Sequence, residues 1–163
     1  MATASPVYGT PTAMTITLAS LATSSTLVAG RESTAIDQKD STDAIDVLVG
    51  GKVTTGTSPT AARQIEVWLY GSYDDTEFSG SATGSDAALT PVEKSLLQLL
   101  TMIPTSNVSD TAYNFGPFSV AQAFGGVIPV QWGVWITHST GVNLNSTGSN
   151  HEVYYTSVKY ESA

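Results

Sequence analysis

The sequence predicts an all-β fold, a jelly-roll-like antiparallel β-sandwich of about eight strands, and three observations carry that expectation. Apolar residues recur at every second position in several short runs. Clusters of Gly, Pro, Ser and Asp separate the runs, and no helical pattern of ordinary length alternates with them as an α/β arrangement would require. The chain has 163 residues, 41% of them hydrophobic, which suffices for one buried core. Residues 1–12 read as an extended N-terminal arm and residues 13–163 as a single sandwich domain.

The elements follow in order. Met1 to about Pro11 is small, polar and uncharged with two prolines and no periodicity, so it reads as an arm able to lie on a neighbour. Met14, Ile16 and Leu18 alternate with threonine as in a half-buried strand, and a second short strand is expected over Ser25 to Ala29. Arg31 to Asp43 holds most of the local charge and reads as a solvated loop. Ala44 to Thr55 is apolar around Gly50–Gly51, a pair that fits either a hairpin turn or a bulge within one long strand. Ile65 to Tyr73 is the clearest strand: Ile65, Val67 and Leu69 share one face, Glu66, Trp68 and Tyr70 the other.

A loop rich in Gly, Ser and Asp spans Asp74 to Asp86. Thr90-Pro91-Val92-Glu93 resembles a helical capping box, and a short helical turn followed by a strand at about 95–103 is expected. Ala112 to Phe115 reads as a strand and Gly116-Pro117-Phe118 as a turn. Ser119 is placed to cap one helical turn over Val120 to Phe124, stopped by Gly125–Gly126. Trp132 to His138 is a strand that points Trp135 away from Trp132, Val134 and Ile136, and Val153 to Tyr160 closes the series.

Charge narrows the function classes. Six Lys and Arg against fourteen Asp and Glu give a net charge of −8, which excludes the phosphate backbone of nucleic acid as a natural partner. Ser and Thr make up about a quarter of the chain, so its polar surface is built largely from hydroxyls. With no cysteine, disulfides, thiolate metal sites and cysteine nucleophiles are excluded together. No basic residue precedes Arg31, no credible signal peptide is expected, and the longest apolar runs fall far short of a membrane span, so no membrane partner is expected.

Motifs for chemistry are sparse. Gly-x-Ser-x-Gly, the P-loop and Gly-x-Gly-x-x-Gly are missing, and neither catalytic nor cofactor-binding residues are expected. His138 and His151, with Glu152 or Asn150, form a weak metal candidate. Asp74, Asp75 and Glu77 are the densest acidic cluster beside an apolar strand and are the calcium candidates, although the EF-hand spacing is lacking. As a glycosidase pair Asp74 and Asp75 are poorly placed, because adjacent strand residues face opposite ways. Trp68, Tyr70, Trp132, Trp135, Tyr154 and Tyr155 suit either packing or a sugar-stacking platform. Asn107-Val108-Ser109 and Asn145-Ser146-Thr147 match the glycosylation pattern and, with no secretory signal expected, are read as chance matches. For contacts between subunits, the candidates are Ala4, Pro6, Tyr8 and Pro11 of the arm, with Trp68, Tyr70 and Trp135 as anchors.

Several segments taken together resemble a family of small structural proteins of tailed bacteriophages. They are Gly56-Thr57-Ser58-Pro59-Thr60, Ile65-Glu66-Val67-Trp68-Leu69-Tyr70, Tyr113-Asn114-Phe115-Gly116-Pro117-Phe118-Ser119-Val120, Phe124-Gly125-Gly126-Val127-Ile128-Pro129 with Trp132-Gly133, and Thr137-His138-Ser139-Thr140-Gly141-Val142. The resemblance implies a virion component without enzymatic activity, a head decoration or cement protein made in the bacterial host cytoplasm and docked on the capsid exterior. Its partners would be the major capsid protein and copies of itself as a dimer or trimer. The alternatives are a carbohydrate-binding module on the virion, taking surface glycans, and a tail or connector component.

Overall fold

Backbone pairing arranges the chain into two antiparallel sheets packed face to face. The computed structural model describes residues 4–38 and 44–162. Residues 1–3 of the expected arm and residues 39–43 of the expected charged loop lie outside these. In chain order the strands are β1 (Ala4–Tyr8), β2 (Thr12–Ala13), β3 (Gly30–Glu32), β4 (Ile36–Asp37), β5 (Asp46–Thr54), β6 (Arg63–Ser72), β7 (Ala87–Leu89), β8 (Gln98–Thr105), β9 (Ala112–Ser119), β10 (Gln131–His138) and β11 (Glu152–Ser162). The first sheet runs β1-β11-β5-β9, with β2 also on β11, and the second runs β7-β3-β10-β6-β8, with β4 also on β10.

The core between the sheets follows from period-2 alternation. Val47, Val49 and Val53 of β5 and Val153 of β11 meet Ile65, Val67 and Leu69 of β6 and Trp132, Val134 and Ile136 of β10. Both faces of β6 and β10 carry bulk because a second apolar cluster sits on the far side of their sheet. Tyr70, Trp135, Ala82, Leu89 and Leu97 are buried there, with Trp68 and Phe78 packed against them. The segment between β6 and β8, residues 73–97, folds over that outer face and supplies the cover. Tyr70 lies flat across Gly133, its register partner on β10, where a Cβ would stand 2.3 Å from the Tyr70 hydroxyl.

Two bulges adjust the sheets. Gly50–Gly51 lies inside one continuous β5, and the register shift falls opposite it on β9. That strand runs on through Gly116-Pro117-Phe118 where a turn was expected, with Gly116 at φ 84° supplying the bulge. The extra residues let Phe115 and Phe118 both face the core. A similar shift between Val67 and Trp68 of β6 sets Leu99 of β8 opposite Trp68 and Thr101 opposite Val67.

Other expectations are corrected. Met14 to Leu18 is extended and buries Met14 and Leu18, but it forms no ladder. It crosses from one sheet to the other, Met14 bonding Val153 in the first and Thr15 receiving Thr34 N–H beside the second. Ser25 to Leu27 is a turn and the strand starts only at Gly30. Arg31 and Glu32, expected in a solvated loop, belong to β3, and Glu32 is fully buried. The expected short helical turn followed by a strand is present, as a 3₁₀ turn over Lys94–Leu96 and then β8, but the turn starts after the extended Glu93 with no side-chain cap and not at the Thr90 box. Leu97 goes into the second cluster, which outweighs the local helical signal. The cap at Ser119 is present, its hydroxyl accepting from Gln122 N–H of helix α1 (Val120–Ala123).

Candidate functional site

The polar residues with chemical potential are committed to holding the fold. Asp74 accepts from the backbone N–H groups of Thr76 and Glu77 and from the Ser72 hydroxyl, which closes a turn. The two backbone bonds hold its pKa below the usual carboxylate value. Among the described residues no group of three or more His, Asp or Glu side chains is placed to hold a metal ion, so Asp74, Asp75 and Glu77 do not converge as the calcium reading required. Asp75 instead meets the Gln131 side chain at 3.4 Å.

The histidines serve separate loops. His138 is fully buried, with Nδ1 2.9 Å from the Thr140 hydroxyl and Nε2 3.0 Å from the Leu21 carbonyl. His151 accepts from Thr54 N–H at Nδ1 and donates through Nε2 to the Asn145 carbonyl. Burial lowers both pKa values, which keeps the rings neutral and able to accept as well as donate.

Three carboxylates fasten the cover over the second sheet. Glu32 accepts from Thr83 N–H at 2.9 Å and from its hydroxyl at 2.8 Å. Glu66 pairs with Lys94, whose ammonium lies 4.8 Å from the Trp68 ring centroid, and also accepts from Trp68 Nε1–H. Asp86 holds Arg31 and both donors of Thr17. Burial alone would raise the Asp86 pKa, but the bonds from Arg31 and Thr17 outweigh it and hold the value low. The bonds of Thr83 to Glu32, Lys94 to Glu66 and Asp86 to Arg31 tie residues 73–97 to the strand face beneath.

The aromatic anchors are corrected accordingly. Tyr70 and Trp135 are fully buried under the cover, so neither reaches a partner. Their polar atoms are spent internally, Tyr70 donating to the Ser33 carbonyl and Trp135 Nε1–H to that of Leu89. Burial pushes the Tyr70 phenol well above its usual pKa. Trp132 is buried as well and Trp68 is half-buried beneath Lys94, which leaves no exposed tryptophan strip for a sugar.

The arm residues are placed differently. Ala4, Pro6 and Tyr8 belong to β1, which pairs with β11 of its own chain as an edge strand of the first sheet. Only Val7 of this strand is even half-buried, and among the described residues no strand pairs with its outer edge. Register sets Pro6 opposite Tyr160 and Tyr8 opposite Val158, and sets Thr156 opposite Leu48 and Tyr154 opposite Gly50. These residues therefore share the outer face of the first sheet. A shallow depression of about 490 Å³ opens on that face, lined by Tyr8, Pro11, Leu48, Tyr154, Thr156 and Pro117, with Gly50 and Gly51 at its floor. Among the described residues no charged side chain lines it.

A second uncharged surface escaped the strand-by-strand reading. β8 and β9 stand at the same side of the sandwich, one at the edge of each sheet. Leu96, Leu99, Met102 and Val127 are exposed there, and two clefts flank β8. One, of about 480 Å³, lies between Tyr73, Leu96 and the Val127–Val130 loop. The other, of about 300 Å³, lies between Leu99, Leu100 and Phe118. The signal was in the composition: from Ser95 to Val130, Asp110 is the sole charged residue of an otherwise acidic chain. Comparison with protein-family models, with curated proteins and with solved structures finds no match to the chain.

Proposed function

We propose that this protein is a structural component of a tailed-bacteriophage virion, a decoration protein that docks on the outer capsid surface and strengthens the head. The observation that carries the reading is the outer face of the first sheet. An edge strand bound along one side only lies beside an uncharged depression walled by Tyr8, Pro11, Leu48 and Tyr154. An open edge accepts an extended segment through main-chain hydrogen bonds, and an apolar depression beside it selects side chains. Tyrosine is among the residues that contribute most at interfaces. A subunit that binds the assembled lattice and not its free parts stabilises assembly by mass action.

The segmental resemblance to small phage structural proteins supports the same reading. So does the commitment of His138, His151, Glu32, Glu66 and Asp86 to internal hydrogen bonds.

The test is co-sedimentation of the purified chain with heads of the phage that encodes it, assembled without the protein. Saturable binding that Tyr154→Asp weakens at least tenfold is expected. Heads that pellet free of the protein at every concentration would overturn the proposal.

A further inference from the structure

We infer that the β8 flank is the surface through which two copies of this chain meet, in a two-fold contact centred on Leu99 and Met102. The inference assigns the copy-to-copy contact within the assembly reading above, and rests on that reading only for its biological setting.

The geometry of the edge comes first. β8 is laddered to β6 on one side and, among the described residues, has no strand on the other. Natural sheet edges are commonly protected by charge, but Gln98–Thr105 carries none. Leu99 and Met102 face outward from the second sheet, opposite Trp68 and Glu66 of β6, and are 42% and 55% exposed. Leu96 and Val127 extend the apolar surface along one cleft. Exposed apolar side chains gathered along one sheet edge mark a contact site. Pro104 and the bulge near Leu100 are the protection that remains, and they restrict any added ladder to a few residues. A finite pairing is allowed and an open-ended one is not.

Charge then selects the occupant. The chain carries −8, so a second copy is repelled wherever carboxylates would face each other. Beside β8 the repulsion is small: Glu66 is buried and paired with Lys94, which leaves the exposed Glu93 as its residual source. A basic partner would be drawn to the acidic remainder of the surface. A two-fold contact sets like against like, and an uncharged apolar edge is complementary to its own image in a way an acidic face is not.

Light scattering coupled to size exclusion, run on the full chain over a range of concentrations, tests this. The expected mass is twice 17.0 kDa. The dimer should strengthen as salt rises from about 50 to about 500 mM, because screening removes the residual repulsion between acidic bodies. The double variant Leu99→Glu with Met102→Glu should remain at 17.0 kDa where the parent is dimeric, while Val28→Glu, the same charge placed outside the flank, should keep the parent mass.

Hydrogen exchange on the unmodified protein guards against a variant that fails to fold. Amides of Gln98–Ile103 should exchange more slowly at high than at low protein concentration, and those of β1 should not change. A 17.0 kDa particle at all concentrations up to about 0.1 mM, a dimer weakened by salt, or concentration-dependent protection elsewhere than β8 would each overturn the inference. A dimer that never binds heads would leave this inference standing and defeat the virion reading, and a monomer that decorates heads would do the reverse.

Discussion

His138 and His151 stand at the ends of neighbouring elements and read in sequence as metal ligands or strand-end residues. Folding gives each a backbone carbonyl to donate to and surroundings that disfavour a proton on both nitrogens. Unfolded, each titrates near the ordinary 6.5, whereas folded, protonation waits for lower pH. The unfolded chain therefore binds more protons in that window. Stability should be complete above about pH 6.5 and fall as the pH drops below it. Denaturant unfolding at pH 7.5 and 5.5 measures the slope, and His151→Gln should flatten it. An unchanged slope in that variant would contradict the assignment.

Gly133 makes a second prediction at this scale. Its missing side chain is the space in which the Tyr70 ring rests, so Gly133→Ala should cost about 1–3 kcal/mol by forcing the ring outward. Trp135→Ala should cost about 3–5 kcal/mol, the range for a large aromatic removed from a core. Had Trp135 been a surface anchor, as its sequence context suggested, the loss would be near zero. Thermal or denaturant unfolding of the two variants distinguishes these outcomes.

Among the elements, β6 and β10 were legible because alternation is a local property and both strands show it without interruption. The helical turn after Ser119 was legible for the same reason, a hydroxyl three residues ahead of a free N–H. Where the reading failed, a distant partner decided. Met14 to Leu18 alternates like a strand, yet its hydrogen bonds go to Val153 on one side and, through Thr15 and Thr17, to Thr34 and Asp86 on the other. The helical turn before β8 begins at Lys94 and not at the Thr90 box, beside the burial of Leu97, and Glu32 looked solvated only because Thr83 lies 51 positions away. The two strand faces of β6 announced a second layer without saying that residues 73–97 would provide it.

β1 carries the prediction at this scale. The strand is held by its ladder to β11 and by one half-buried side chain, Val7. Deleting residues 1–8 should lower stability by no more than about 2 kcal/mol and leave a cooperative transition, because so little apolar surface is lost. The same deletion should abolish binding to heads. A truncated protein that binds heads with unchanged affinity would show that the open edge is not the docking element.

For the molecule as a whole, the distribution of charge carries more meaning than its sum. A value of −8 argued against nucleic acid, while the proposed copy-to-copy contact draws on the long tract from Ser95 to Val130 that has one charge. The fold brings part of that tract to one flank at β8 and β9, while the β1 edge lies at the far end of the first sheet from β9. On this account the protein has two separate contact surfaces, one for the lattice and one for its copy. The sequence offered Tyr8 and Pro11 of the first surface as contact candidates but not the rest, because each surface is assembled from strands remote along the chain, such as β1, β5, β9 and β11 around the glycine-floored depression.

For the proposed virion role, the most direct measurement is electron cryomicroscopy of virions of the phage to which the proposal assigns the chain. The account predicts density for this sandwich on the head exterior, with β1 and the Tyr8–Tyr154 face against the lattice and the β8 flank against a second copy. Particles that lack the protein, or that hold it with the Tyr8–Tyr154 face turned to solvent, would contradict the account.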